Sequence, residues 1–246
     1  MNKKLRTCML SNKGGVGRTN AVIAIAGILA DLHKEETLLV DLDPQGNLSF
    51  ILNCEIKQEE SKTSQVLLGK EVKSQNIAGF ENLSIFTGSN DLKTEDVVRA
   101  FDNKLETALE DAPAHIICDT TSDVNHLVRQ AINLCDTFLI ITDIDKASIK
   151  GAISSAMMLD TWNKDNKKKS QKRYAFVINN FEKSTKFSNE TLQTIESEFS
   201  DTSIFTVSKS QAVKNARRDG IVMTRYIKAK KTVNEFKKVT DWLLGE

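Results

Sequence analysis

Ten residues constrain this chain more than any others: Ser11-Asn12-Lys13-Gly14-Gly15-Val16-Gly17-Arg18-Thr19-Asn20. The apolar run from Leu5 to Leu10 before them has the length of one buried strand. The small and apolar residues from Ala21 to Ala30 after them have the length of a buried helix. A strand, a glycine-rich turn and a helix in that order make a phosphate cradle. The glycines let backbone N–H groups converge on an anion, and the helix N-terminus adds partial positive charge. Thr19, the first helical hydroxyl, is placed to hold Mg²⁺ beside the phosphates.

Against the P-loop pattern G-x-x-x-x-G-K-[ST], two positions depart: Asn12 stands in place of the first glycine and Arg18 in place of the phosphate lysine. An ordinary glycine turn is the competing reading of so loose a match. Lys13, directly before Gly-Gly-x-Gly, decides between them. A lysine there marks the deviant Walker A loop, and the stretch resembles the ParA/MinD family of ATPases. The resemblance implies that the backbone of Lys13, Gly14, Gly15, Val16, Gly17, Arg18, Thr19 and Asn20 wraps the phosphates of ATP or ADP. It also implies that Lys13 reaches across a nucleotide-sandwich dimer to the partner's phosphates.

Three further stretches carry the resemblance. Asp41-Leu42-Asp43-Pro44-Gln45-Gly46-Asn47 follows the apolar segment Glu36 to Val40 and is similar to the family's Walker A′ motif. Carboxylates at the C-terminal end of a strand lie where ligands bind in open α/β sheets. Ala114 to Asp119 is a buried strand ending in an aspartate, the Walker B arrangement, in which the carboxylate holds the Mg²⁺ shell through water; a helix N-cap is the alternative role for this Asp. Tyr174 to Asn180 ends a strand with Asn179 at the position that recognises adenine in the family. Two departures accompany these matches: no proline follows Asp119, where Thr120-Thr121-Ser122 stands, and none follows Val207, where Ser208-Lys209-Ser210 stands.

Of 246 residues, Lys and Arg number 34 and Asp and Glu 33, a balance that identifies no partner. The distribution says more. Ten basic residues between Ser208 and Lys238 face only Asp219 and Glu235, and six between Lys164 and Arg173 face only Asp165. Such segregation predicts a basic face with a polyanion partner, solvated helix faces being the alternative. The four cysteines, Cys8, Cys54, Cys118 and Cys135, show no C-x-x-C spacing and read as reduced core thiols. No leader is apparent before the first strand and no apolar run reaches membrane-spanning length, so the expected location is the cytoplasm, on the nucleoid if DNA is bound.

Strands and helices alternate through the chain: strands near 36–43, 83–87, 114–119, 136–142, 174–180 and 203–207, and helices over 91–110, 146–162, 187–199 and 232–244. The pattern predicts an α/β fold, a doubly wound, mostly parallel sheet with helices on both faces, in one domain over 1–246. Residues 53–82 are poorly periodic, with one short helix near Ser64 to Leu68. In the last helix Val233, Phe236, Val239, Trp242 and Leu243 share a side. That side reads as a closing helix packed on the sheet in preference to a membrane-surface helix of the MinD type.

The resemblance implies an ATP-switched homodimer that binds DNA non-specifically and is stimulated by a ParB-type centromere-binding partner. Carried onto this chain, Thr19, Asp41 and Asp119 serve the metal, Asp43 orients the attacking water, and Lys13 and Arg18 face the transferred phosphate. Arg217, Arg218, Arg225, Lys228, Lys230 and Lys231 are the candidate DNA-backbone contacts. A membrane-associated positioning ATPase and a nucleotide-locked scaffold are the rival readings. The guanidinium of Arg18 is bulkier than an ammonium and is expected to keep ATP binding while slowing hydrolysis.

Overall fold

The computed structural model describes residues 4–56, 60–100, 103–112, 115–123, 125–167 and 171–245. Strand β1 (Arg6–Leu10) enters the glycine-rich loop, and α1 (Arg18–Ile28) leaves it and widens into one π turn over Leu29–His33. Next come β2 (Thr37–Asp41), α2 (Asn47–Ile51), α3 (Lys62–Leu67), β3 (Gln75–Asn76) and β4 (Leu83–Phe86), then α4 (Glu95–Val98), α5 (Lys104–Leu109) and β5 (His115–Asp119). The second half holds α6 (His126–Leu134), β6 (Thr137–Thr142), α7 (Lys146–Asp165), β7 (Arg173–Phe181), α8 (Lys186–Glu198), β8 (Ser203–Ser208), α9 (Gln211–Arg218) and α10 (Lys230–Leu244).

The eight strands form one sheet in the order β3-β4-β2-β5-β1-β6-β7-β8, parallel throughout except for the short β3, which runs antiparallel to β4 at the edge. Alternate residues of the central strands go to opposite faces. Met9, Leu39, Ile117, Leu139 and Val177 join the core beneath α1 and α10; their neighbours Cys8, Leu38, Ile116, Phe138 and Phe176 join the core on the other face, with α6 and α7. A strand buried on both sides must be apolar at nearly every position, which is why these segments read as continuous runs. From β1 the chain crosses to β2 on one side, and from β5 it crosses over β1 to β6 on the other. This reversal opens a crevice above the carboxyl ends of β1 and β5, the ligand position of open α/β sheets.

Two expectations change. The helix expected over 91–110 is a 3₁₀ turn (Asn90–Lys93) followed by α4 and α5, because Thr94 is extended (ψ 150°) and interrupts the helix. Leu92, Val97, Leu105 and Leu109 are buried, whereas Val98 is exposed; Phe101 lies outside the described residues, as does Ala114 of the strand expected over 114–119. β3 is an element that the sequence pattern does not show, and α9 lies within the basic helical segment expected over about 208–246. The Lys164–Arg173 stretch also changes character at its end. Lys172 is buried, donating to the Cys135 carbonyl at 2.6 Å, and Arg173 stacks over Trp242 while donating to the Leu243 carbonyl at 2.7 Å. Lys168 and Lys169 lie outside the described residues.

Helix α10 is the closing helix. Phe236, Val239 and Leu243 are buried in the core it shares with α1, and Glu235 accepts hydrogen bonds from the backbone N–H and hydroxyl of Ser208 at the end of β8 (2.9 and 2.6 Å). No helix among the described residues is long and apolar enough to cross a membrane. Truncating Phe236 to Ala is expected to cost about 3 kcal/mol, through lost apolar contact and the cavity left behind. Urea unfolding checks this, and a cost below about 1 kcal/mol would mean that α10 is dispensable to the core.

Candidate functional site

The loop after β1 takes its shape from two glycines in the left-handed region, Gly15 (φ 80°) and Gly17 (φ 98°). At Gly17 any side chain would also collide with Asn179, whose amide nitrogen donates to the Val16 carbonyl at 2.8 Å. Asn12 is tolerated at the first P-loop position because it packs on Gly151 of α7 and accepts from the Ser155 hydroxyl at 3.0 Å. Loop and α7 are thereby fixed to each other.

Around this loop lies a cleft of two lobes. The first, about 320 Å³, is lined by Gly14, Gly15, Gly17, Arg18, Thr19 and Asn20 on one side and by Asp43, Gln45, Asn47, Thr121, Ser122 and Arg217 on the other. The second, about 580 Å³, extends past Asn179, Asn180, Ser208, Ser210 and Lys214. Thus Gly14, Gly15, Gly17, Arg18, Thr19 and Asn20 converge on the first lobe, Lys13 and Val16 do not line it, and Asn179 lines the second.

At the floor, the Thr19 hydroxyl donates to Oδ2 of Asp119 at 2.7 Å. The other Asp119 oxygen, Oδ1, is buried and has no hydrogen-bond partner. A buried acceptor left open beside a hydroxyl fits the water shell of a divalent cation. No group of three or more His, Cys, Asp or Glu among the described residues is placed to hold a metal alone. A divalent cation bound here would draw its ligands mainly from water and phosphate, the ligands that suit Mg²⁺.

Asp41 stands beside Asp119 in the sheet register and is fully buried, but it does not line the phosphate lobe. Its Oδ2 accepts from the backbone N–H and hydroxyl of Ser49 (3.0 and 2.6 Å), and its Oδ1 from the Asp43 N–H (3.1 Å). Both oxygens of Asp41 are thus engaged within the protein, and its negative charge bears on Asp119. Asp43 does face the lobe, its Oδ1 accepting from the Gln45 N–H at 2.9 Å.

The two loop cations are both engaged. Arg18 is nearly buried and donates to the Ser11 carbonyl at 2.8 Å. Lys13 lies outside the phosphate lobe, half exposed, in an ion pair with Asp145 at 2.8 Å. The Lys13 ammonium holds the Asp145 carboxyl well below the usual carboxylate range, assisted by the Ser148 hydroxyl. Asp145 also caps α7, accepting from the N–H groups of Ala147 and Ser148. The sequence carries the cap signal, an Asp before a helix, but nothing in it connects Asp145 with Lys13.

Among the candidate DNA contacts the structure makes distinctions. Arg225 is engaged within the fold: Nε and Nη2 donate to Asp31 (3.2 and 2.8 Å), Nη1 donates to the Gly79 carbonyl (2.7 Å), and the guanidinium covers the Phe80 ring at 3.5 Å. Every nitrogen of Arg225 serves the fold. Arg218 pairs with Asp219 at 2.8 Å, and Lys231 lies 3.9 Å from Glu235. Lys228 and Lys230 are exposed.

Burial, with the Asp41 charge second, pushes the Asp119 carboxyl up to about 7; burial pushes Asp41 to about 6. With neither Mg²⁺ nor nucleotide bound, the folded chain holds these protons more tightly than the unfolded chain does. Their contribution to stability is therefore lost as the pH rises from about 4 to about 7. Asp119→Asn keeps an acceptor for Thr19 and removes the buried charge. It is expected to flatten that slope and to be more stable than the parent at pH 8. Urea midpoints at pH 5 and pH 8 check this, and the same pH dependence in both proteins overturns it.

Comparison with known proteins agrees with this geometry. A family model described as an AAA domain matches residues 6–172. The virulence plasmid ParA family protein pGP5-D of Chlamydia psittaci is 31% identical over 160 residues, 61% of this chain and 60% of its own length. Apo McdA from Cyanothece superposes with a TM-score of 0.81 over 96% of this chain and 99% of its own, at 16% identity. The septum site-determining protein MinD of Pyrococcus horikoshii, solved with Mg-ADP, superposes with a TM-score of 0.75 over 96% of both chains, also at 16% identity. The loop, the strand-end carboxylates, the sheet order and these similarities converge: the chain belongs to the ParA/MinD family of P-loop ATPases.

Proposed function

We propose that this protein is a ParA-type partition ATPase that pairs with a second copy around ATP, binds DNA non-specifically in that state and releases it when a ParB-type partner stimulates hydrolysis. The observation that supports this reading best is the position of Lys13. Its side chain is half exposed outside its own phosphate lobe and held by one exchangeable ion pair, so it is free to turn to an approaching subunit. Exposed pairs of this kind are worth about 0–1 kcal/mol, a small barrier to exchange.

In this reading the N–H groups of residues 13–19 cradle the phosphates. Thr19 and, through water, Asp119 hold Mg²⁺, which when bound screens the charge that develops on the phosphoryl oxygens. Asp43 orients the attacking water, and Asn179 braces the loop at the base-side lobe. Arg217, Arg218, Lys228, Lys230 and Lys231 are the remaining DNA-backbone contacts. A membrane-surface role for α10 has less support, because its apolar side is already buried.

Binding to a non-specific duplex with ATP, ADP or no nucleotide, at low and moderate salt, tests the proposal. ATP-dependent binding that fades steeply with salt is expected, since phosphate contacts release counterions. Binding indifferent to nucleotide would overturn the switch, and binding to anionic liposomes but not to DNA would favour a MinD-like role.

A second reading, a nucleotide-locked scaffold, draws on Arg18, whose guanidinium is bonded beneath the loop at Ser11. A lysine at this position is slimmer and reaches phosphate as a point charge. Arg18→Lys is therefore expected to raise the hydrolysis rate about tenfold or more, the scale of one added charge-assisted contact. A rate unchanged by the substitution would mean that residue 18 does not limit turnover.

A further inference from the structure

The two lobes of the cleft meet at four residues that line both: Gly15, Gly17, Asn20 and Arg217. Three of these belong to the loop and the start of α1. The fourth comes from the opposite wall, the last turn of α9. Arg217 also lines a small apolar hollow with Ile23, Ile51 and Val213, a seat for the aliphatic stem of a side chain whose charged end stays in the open cleft.

Its charge is unmatched. Arg218 next to it is paired with Asp219, and Arg225 is paired with Asp31. For Arg217 there is neither an ion pair nor a side-chain hydrogen bond among the described residues. The phosphate lobe contains one other lining cation, Arg18, which is engaged with the Ser11 carbonyl, and it contains the carboxylate of Asp43. A polyanion entering this lobe therefore meets one uncommitted side-chain cation among the described residues, and it stands where the phosphate side joins the base side.

We propose that Arg217 is a phosphate-binding residue of the nucleotide site. Its guanidinium takes oxygens of the phosphate chain at the junction of the lobes and supplies, within the same subunit, the cation that Arg18 does not present. The expected ligands are nucleoside di- and triphosphates, held across the cleft between the loop and α9. This reassigns Arg217 from the DNA-facing set, and it depends on the reading of the cleft as an ATP and ADP site.

Calorimetric titration with Mg-ATP and Mg-ADP tests the proposal on four proteins: the parent, Arg217→Ala, Arg217→Lys and, as a charge control outside both lobes, Lys186→Ala. Arg217→Ala is expected to bind both nucleotides about tenfold to a hundredfold more weakly, the range of a lost hydrogen bond to a charged group. Arg217→Lys should recover part of that loss, and Lys186→Ala should match the parent. The rise in melting temperature caused by ADP should shrink in Arg217→Ala, with the nucleotide-free melting temperature unchanged. If that baseline falls, Arg217→Gln, which keeps most of the stem, replaces it. Parent-like affinity in Arg217→Ala overturns the proposal and leaves the nucleotide site standing, the more so if the variant loses DNA binding. Failure of the parent to bind either nucleotide overturns both.

Discussion

Two buried carboxyls, Asp41 and Asp119, stand side by side at the carboxyl ends of adjacent strands, and much of the site follows from what they require. An unpaired buried carboxylate is costly, so each must be protonated, hydrogen-bonded or matched with a cation. Asp41 is matched internally by Ser49 and the Asp43 N–H, which fixes the turn after β2 and sets Asp43 at the rim of the cleft. Asp119 is matched only on one oxygen, by Thr19. One carboxyl shapes the turn after β2, and the other leaves a buried oxygen without a partner among the described residues.

That arrangement needs the central strands to hold their register to within one residue, because a shift of one would turn Asp119 to the other face. The two apolar cores on opposite faces of the sheet provide this. Met9 and Ile117 face α1 while Cys8 and Cys118 face away, so a slip would exchange residues between two different packings. Helix α10 belongs to the same mechanism. Phe236 and Leu243 pack in the core with α1, whose N-terminal turn carries Thr19.

The parts of this structure legible in the sequence are those in which local pattern and global fold coincide. Continuous apolar runs identify the doubly buried strands, glycines at positive φ identify the loop, and the carboxylates at strand ends identify the rim. The 91–110 segment misled because its apolar spacing is helical while Thr94, an unremarkable residue, is extended. Long-range charge matching was the larger gap. Arg225 and Asp31, or Lys13 and Asp145, are far apart in the chain, and composition counts all of them as surface charge. Segregation of basic residues near the C-terminus was visible; which of them serve the fold was not, since that depends on where Phe80 and Asp31 come to lie.

Three cations surround the cradle, and their partners divide the work among them. Arg18 occupies the position of the phosphate lysine, but its planar fork matches the Ser11 carbonyl and lies nearly buried beneath the loop, where it stiffens the turn. Lys13 sits at the outer edge on a weak, solvent-exposed pair, suited to exchange when a second surface arrives. Arg217 stands across the cleft, its stem against apolar residues and its charge unmatched. The three cations thus differ in commitment: one is fixed below the loop, one is exchangeable outside it and one is open on the facing wall.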